Sequence, residues 1–155
     1  MGRAARVGFR GTAVLLWTDK KGVRVARSDD RGAHWRTWTL AETRAPAFFP
    51  YLVARDSGEL AATWFTASTN DAHDLQWQAA RVEGADAQPR VLFTTQLPLE
   101  SRRPREGRGD TLFNDPGGEY LALAFLRDGT LGVVSPIQNR PENRVGFTWW
   151  RFAAR

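Results

Sequence analysis

The chain has 155 residues, 42% of them apolar and 25% charged, the composition of one ordinary globular domain with its own core and not of a disordered segment. It holds no cysteine, which excludes a disulfide framework, a thiolate metal site and a cysteine nucleophile. The net charge of +5 rests on arginine: lysine occurs only at Lys20 and Lys21, and the arginines are scattered from Arg3 to Arg155 with one dense run at Arg102, Arg103, Arg105 and Arg108, a pattern of solvated strand faces that argues against a nucleic-acid partner.

No stretch keeps a helical period. Apolar and polar residues alternate in short runs bounded by Gly, Asp, Asn and Pro, which predicts strands and turns. Met1 to Val7 is basic, but no apolar segment of useful length follows it, so no signal peptide is expected. The longest apolar run, Ala13 to Trp17, is too short to span a bilayer. Val23 and Val25 alternate with Arg24 and Ala26, and a further strand is expected from Trp35 to Leu40. Phe48-Phe49-Pro50-Tyr51 opens the next strand, and Asp56-Ser57-Gly58 turns it back. Arg90 to Thr94 reads as another strand. Leu97 to Gly118, rich in Pro, Gly and charge, reads as a long loop. Its Arg108-Gly109-Asp110 tripeptide is common by chance and carries no adhesion reading. Glu119 to Ala124, the turn Asp128-Gly129, and the alternating Val145, Phe147 and Trp149 complete the pattern.

These runs form a weak repeat. Each of three units has a strand, a tight turn, a second strand, a longer polar loop and a third strand; the first two units add a fourth. Trp17 and Trp64 fall at matching places, 47 residues apart. Short antiparallel strands at that period describe propeller blades, each packing face to face on the next. The expected organisation is a single unit over 1–155. Blade 1 covers about 1–45, blade 2 about 46–97, the long loop 98–118 and an incomplete blade 3 about 119–155.

Residues 28 to 35 read Ser-Asp-Asp-Arg-Gly-Ala-His-Trp and fit Ser-x-Asp-x-Gly-x-x-Trp, with Ser28, Asp30, Gly32 and Trp35 in register. This resembles the Asp-box, or bacterial neuraminidase repeat, of sialidases and related propellers. The spacing has a physical reading. Ser and Asp side chains fix a turn through its own backbone groups. Gly32 takes a positive φ, and Trp35 folds its ring over the hairpin as a local core. The resemblance places the box between the third and fourth strands of a blade, away from the active site. It implies an all-β fold, here an antiparallel β-propeller fragment of about three blades, half of a six-bladed sialidase-like propeller. The remainder of the propeller, or self-association, would then cover its open faces.

Exo-sialidases, by the same resemblance, hold a substrate carboxylate with three arginines and use a tyrosine nucleophile activated by a glutamate. The Arg-Ile-Pro segment that carries the first of those arginines is absent. Tyr120 is the candidate nucleophile, with a core aromatic at a strand start as the commoner reading, and adjacent Glu119 would point to the opposite face of a strand and cannot serve it directly. Tyr51, the other tyrosine, reads as a core aromatic. Arg10, Arg27, Arg55 and Arg127 end or follow inner strands and read either as lining a central channel or, as is commoner for any one of them, as capping strand ends in solvent; Arg55 and Arg127 are the candidate substrate-binding residues. His34 and His73 are too few for a zinc site, and Asp29, Asp30, Asp71 and Asp74 read as turn formers; no metal or cofactor is expected. Three functions remain open: a sialidase-superfamily propeller domain binding a glycan or other acidic small ligand with an incomplete catalytic set, an active exo-sialidase completed from outside the chain, and a structural protein-interaction propeller. Secretion or a periplasmic location is the habit of the resembling family, while no export signal is visible, so the compartment stays open.

Overall fold

The computed structural model describes residues 3–7, 12–55, 57–68, 76–84, 90–97, 122–137 and 146–152. They form strands and turns, with no helix among them, so none of the described residues lies in a helix long and apolar enough to cross a membrane. The strands are β1 (Arg3–Val7), β2 (Ala13–Asp19), β3 (Gly22–Ser28), β4 (Arg36–Glu42), β5 (Ala47–Ala54), β6 (Leu60–Thr66), β7 (Gln76–Glu83), β8 (Arg90–Leu97), β9 (Ala122–Phe125), β10 (Leu131–Ile137) and β11 (Gly146–Phe152). They make three antiparallel meanders in chain order: sheet I is β1-β2-β3-β4, sheet II β5-β6-β7-β8 and sheet III β9-β10-β11.

One connection departs from the sequence reading. A longer polar loop was expected between the second and third strands of every unit, yet Asp19 pairs with Gly22, leaving Lys20-Lys21 as a two-residue turn. Asp19 closes it. Its carboxylate accepts from the Lys21 amide at 2.7 Å and from Arg24 Nε at 3.1 Å, a side-chain clasp the local composition does not advertise.

The first hairpin of each sheet repeats closely. Val7 faces Ala13, Ala54 faces Leu60 and Phe125 faces Leu131. In sheets II and III the turns share their hydrogen bonds. The Arg55 amide donates to the Glu59 carbonyl (2.9 Å) and that of Gly58 to Arg55 (3.1 Å); Leu126 donates to Thr130 (2.7 Å) and Gly129 to Leu126 (3.0 Å). Gly58 and Gly129 sit at φ 82° and 81°, where a Cβ is disfavoured.

Strand alternation decides which face meets which sheet. Val14, Leu16, Val23, Val25 and Leu40 of sheet I pack on Leu52, Leu60, Ala62, Trp64, Ala80 and Val82 of sheet II. The other face of sheet II presents Val53, Ala61, Phe65, Trp77 and Ala79 to Leu123, Leu131 and Val133 of sheet III. Sheet II is therefore buried on both sides, and every residue of β6 is buried. Neighbouring sheets come closest at β1, β2 and β5, and at β5 and β9; β4, β8 and β11 make no comparable approach. The stack is thus tight at the first strands and looser at the last.

β5 carries one extra residue. Phe48 pairs with Phe65, but the next pair is Tyr51 with Thr63, and Phe49 between them sits at φ 48°. Pro50, which has no amide to donate, occupies this bulge. Phe48 and Phe49 consequently both pack against the sheet II–III core, their rings edge-on at 5.4 Å, with Phe48 also stacked on Phe65 at 6.1 Å.

Trp17 and Trp64 occupy equivalent positions but unequal surroundings. Trp64 is 1% exposed because sheet I covers it; Trp17 lies on the outer face of sheet I and is partly exposed. Trp64→Ala is expected to lower stability by about 3–5 kcal/mol, and Trp17→Ala by markedly less, in urea unfolding followed by circular dichroism.

Candidate functional site

Two arrangements concentrate polar chemistry: the hairpin at residues 28–35 and a cleft between sheets II and III. The hairpin joins β3 to β4. Ser28, 1% exposed at the end of β3, donates from Oγ to Asp30 Oδ1 at 2.8 Å and accepts from the Gly32 amide at 2.7 Å. The Asp30 carboxylate also accepts from the His34 amide at 2.9 Å and lies 2.6 Å from His34 Nδ1. Arg31 and Gly32 take φ 61° and 94°, which lets five polar groups converge inside so short a turn. Asp29 braces the outside, bound by Arg27 Nε at 2.6 Å and by an Arg36 terminal nitrogen at 2.5 Å.

Trp35 corrects the sequence reading. Its Nε1 donates to the Gly32 carbonyl at 3.0 Å, so the ring does fold over the turn, but it remains 40% exposed and forms no local core. Its neighbours in the turn are small or polar and mostly exposed, so no large apolar side chain of the turn closes over it. Because Ser28 and Asp30 spend their polar atoms on the turn itself, the hairpin is a structural clasp.

The cleft encloses about 600 Å³ between the ends of β5 and β9 and the turns that follow them. Arg55, Ser57, Phe125 and Arg127 supply its distinctive chemistry. The pair named from sequence, Arg55 and Arg127, thus comes to one place. Arg27 does not join them, being engaged by Asp29 at the hairpin. Arg55 lies over the Phe125 ring at 5.5 Å, and so does Arg81 from β7 at 5.5 Å. Between these cations sits one carboxylate. Glu59 accepts from Arg81 at 2.5 Å, from Ser57 Oγ at 3.2 Å, and lies 3.3 Å from Arg55. The hydrogen bond from Arg81, opposed by partial burial and aided by its charge, holds the Glu59 carboxyl below the usual carboxylate range. Arg81 is 5% exposed, and its buried Nε has no hydrogen-bond partner.

Arg81 and Glu59 escaped the sequence reading, though a signal existed. Trp77, Ala79 and Arg81 share one phase of β7, so a guanidinium stands where the alternation calls for an apolar side chain. Tyr51 is a correction of the opposite kind: expected in the core, it is 42% exposed, because the β5 bulge puts the two preceding phenylalanines into the interior in its stead. Tyr120, Glu119, Arg10, His73, Asp56, Asp71, Asp74 and the Arg108-Gly109-Asp110 tripeptide lie outside the described residues. Among the described residues no three His, Asp or Glu side chains gather as a metal site would require.

The cleft and the clasp lie at the same end of the stack. β4 ends beside the Lys20-Lys21 turn, where the Thr43 amide donates to the Lys21 carbonyl, and only residues 43–46 separate it from β5. β5 therefore runs in the direction of β3, toward the end that carries the 28–35 hairpin, and Arg55 follows its last residue.

Ser28→Ala strips the Gly32 amide of its buried acceptor and is expected to cost about 1–3 kcal/mol, with faster hydrogen exchange at Gly32. Asp30 is held well below the usual aspartate range, first by the His34 amide, then by the His34 ring and Ser28. A depressed native value means that the stabilisation is complete above the ordinary aspartate range and is lost as pH falls through the native one. Exchange protection at Gly32 and His34 should therefore survive mildly acidic buffer and fail only in strong acid, whereas in Asp30→Asn it should not follow pH. No protein-family model and no curated protein sequence matches the chain.

Proposed function

We propose that this chain is an Asp-box-type β-propeller fragment whose cleft between sheets II and III binds the carboxylate of a small acidic ligand, such as a glycan acid, without hydrolysing it. The observation that carries the reading is a charge surplus in a concave site. Arg55 and Arg127 line the cleft; among the described residues the Glu59 carboxylate, shared by Arg55 and Arg81, is the one acidic group paired with Arg55, and Arg127 has no ion-pair partner. Guanidinium groups suit planar carboxylates because two donors can engage both oxygens.

The propeller part of the proposal draws support from three meanders stacked in chain order and closest at their first strands, as wedges around an axis would be. The outer face of sheet I repeats the pattern by which sheet II docks on its predecessor: Ala13, Leu15 and Trp17 answer to Leu60, Ala62 and Trp64. That likeness supports coverage of this face by the rest of a propeller or by another copy.

The position of the cleft weighs against a sialidase reaction there. The resemblance sets the box away from the active site, whereas Arg55 and Arg127 lie at the box end. No carboxylate pair or tyrosine accompanies them within the described lining of the cleft.

Titration with N-acetylneuraminate and glucuronate, followed by calorimetry and by backbone amide shifts, tests the reading. Saturable shifts at Arg55 to Glu59 and Leu123 to Arg127 are expected, weakened about tenfold, near 1.4 kcal/mol, in Arg55→Ala/Arg127→Ala. A fluorogenic sialoside should release no fluorophore. Absence of saturable shifts with both acids overturns the binding reading, and turnover abolished by Tyr120→Phe overturns its non-catalytic part.

A further inference from the structure

Resting on the carboxylate-binding reading, we infer that Arg81 is a positioning residue which engages Glu59 closely and so leaves Arg55 loosely paired and able to take the ligand, and that Glu59 acts as an internal competitor setting the affinity of the cleft for carboxylates. The three side chains are placed unequally. Arg81 is nearly enclosed, its side chain 6% exposed, and meets one Glu59 oxygen at 2.5 Å. Arg55 has 36% of its side chain exposed and meets the other at 3.3 Å. The nearer, more buried contact is the stronger, since a charge pair gains as water is excluded and distance shortens.

The consequence follows from counting charges. A lone Arg55–Glu59 pair would be neutral and would offer a ligand carboxylate little. With Arg81 engaged on Glu59, the local sum over Arg55, Arg81 and Glu59 is positive, and the exposed member carries the surplus into the cleft. The Phe125 ring, with both guanidinium groups 5.5 Å from its centre, offers each cation a favourable aromatic face. Arg81 does not meet the ligand first, because its side chain is nearly enclosed and Arg55, not Arg81, lines the open cleft. The unpartnered Nε of Arg81 fits this assignment: the guanidinium meets the Glu59 carboxylate through a terminal nitrogen and leaves Nε without a partner.

Calorimetric titration with glucuronate of the wild type, Glu59→Gln, Arg81→Met and the double variant separates the possibilities. Glu59→Gln is expected to bind severalfold more tightly than the wild type, because an amide no longer competes for Arg55. Arg81→Met should bind at least tenfold more weakly, and Arg81→Met/Glu59→Gln should recover wild-type affinity or better. Circular dichroism melts of each variant identify any loss caused by unfolding, and the Glu59→Gln gain does not depend on the Arg81 variants folding. A wild-type chain that binds glucuronate while Glu59→Gln gains nothing, or a folded double variant that stays weak, overturns the assignment and leaves the carboxylate reading standing. A wild type that binds neither glucuronate nor N-acetylneuraminate overturns both.

Discussion

The double-sided burial of sheet II is the constraint on which everything else rests. A sheet covered on one face can alternate apolar and polar residues; one covered on both cannot. β6 meets this demand with Leu60-Ala61-Ala62-Thr63-Trp64-Phe65-Thr66, all buried. The two alanines permit close approach, while Trp64 and Phe65 fill opposite interfaces. Each side of this one strand therefore holds a neighbouring sheet in place. The cleft exists because the sheets touch at β5 and β9 and their turns extend past the contact.

The price of a guanidinium in such an interior is desolvation, and Arg81 meets it by pairing with Glu59 and lying over Phe125. A buried ion pair of this kind adds little net stability compared with a well-packed apolar pair. Its value is directional. It fixes where charge sits relative to the open space beside it, and it commits a carboxylate that would otherwise neutralise the neighbouring exposed cation.

Much of the architecture was legible. Strands, tight turns and the tryptophan correspondence followed from period-two alternation and from Gly-centred turns, and the 28–35 hairpin followed from residues whose side chains satisfy their own backbone. Arg55 and Arg127 were legible as strand-end arginines, because both follow first strands in equivalent units. What could not be read was lateral. The Lys20-Lys21 turn depends on an Asp19 clasp, Trp35 on what its neighbours fail to cover, and the Arg81–Glu59 contact joins two residues far apart in the chain by the register of β6 on β7. Tyr51 was misread because a one-residue irregularity upstream changed which aromatics turn inward.

That irregularity also governs arithmetic along β5. Phe48 and Arg55 differ in parity, yet both serve the side toward sheet III, since the extra residue at Phe49 works as a half-period phase shift. Removing one residue there would restore a uniform ribbon and set its two ends at odds: with the Arg55 turn held, Phe48 would rotate toward sheet I; with Phe48 held, the guanidinium would leave the cleft. Odd and even numbering cease to report facing across this point, so any relative threaded onto β5 as an uninterrupted strand would be inverted on one side of Pro50.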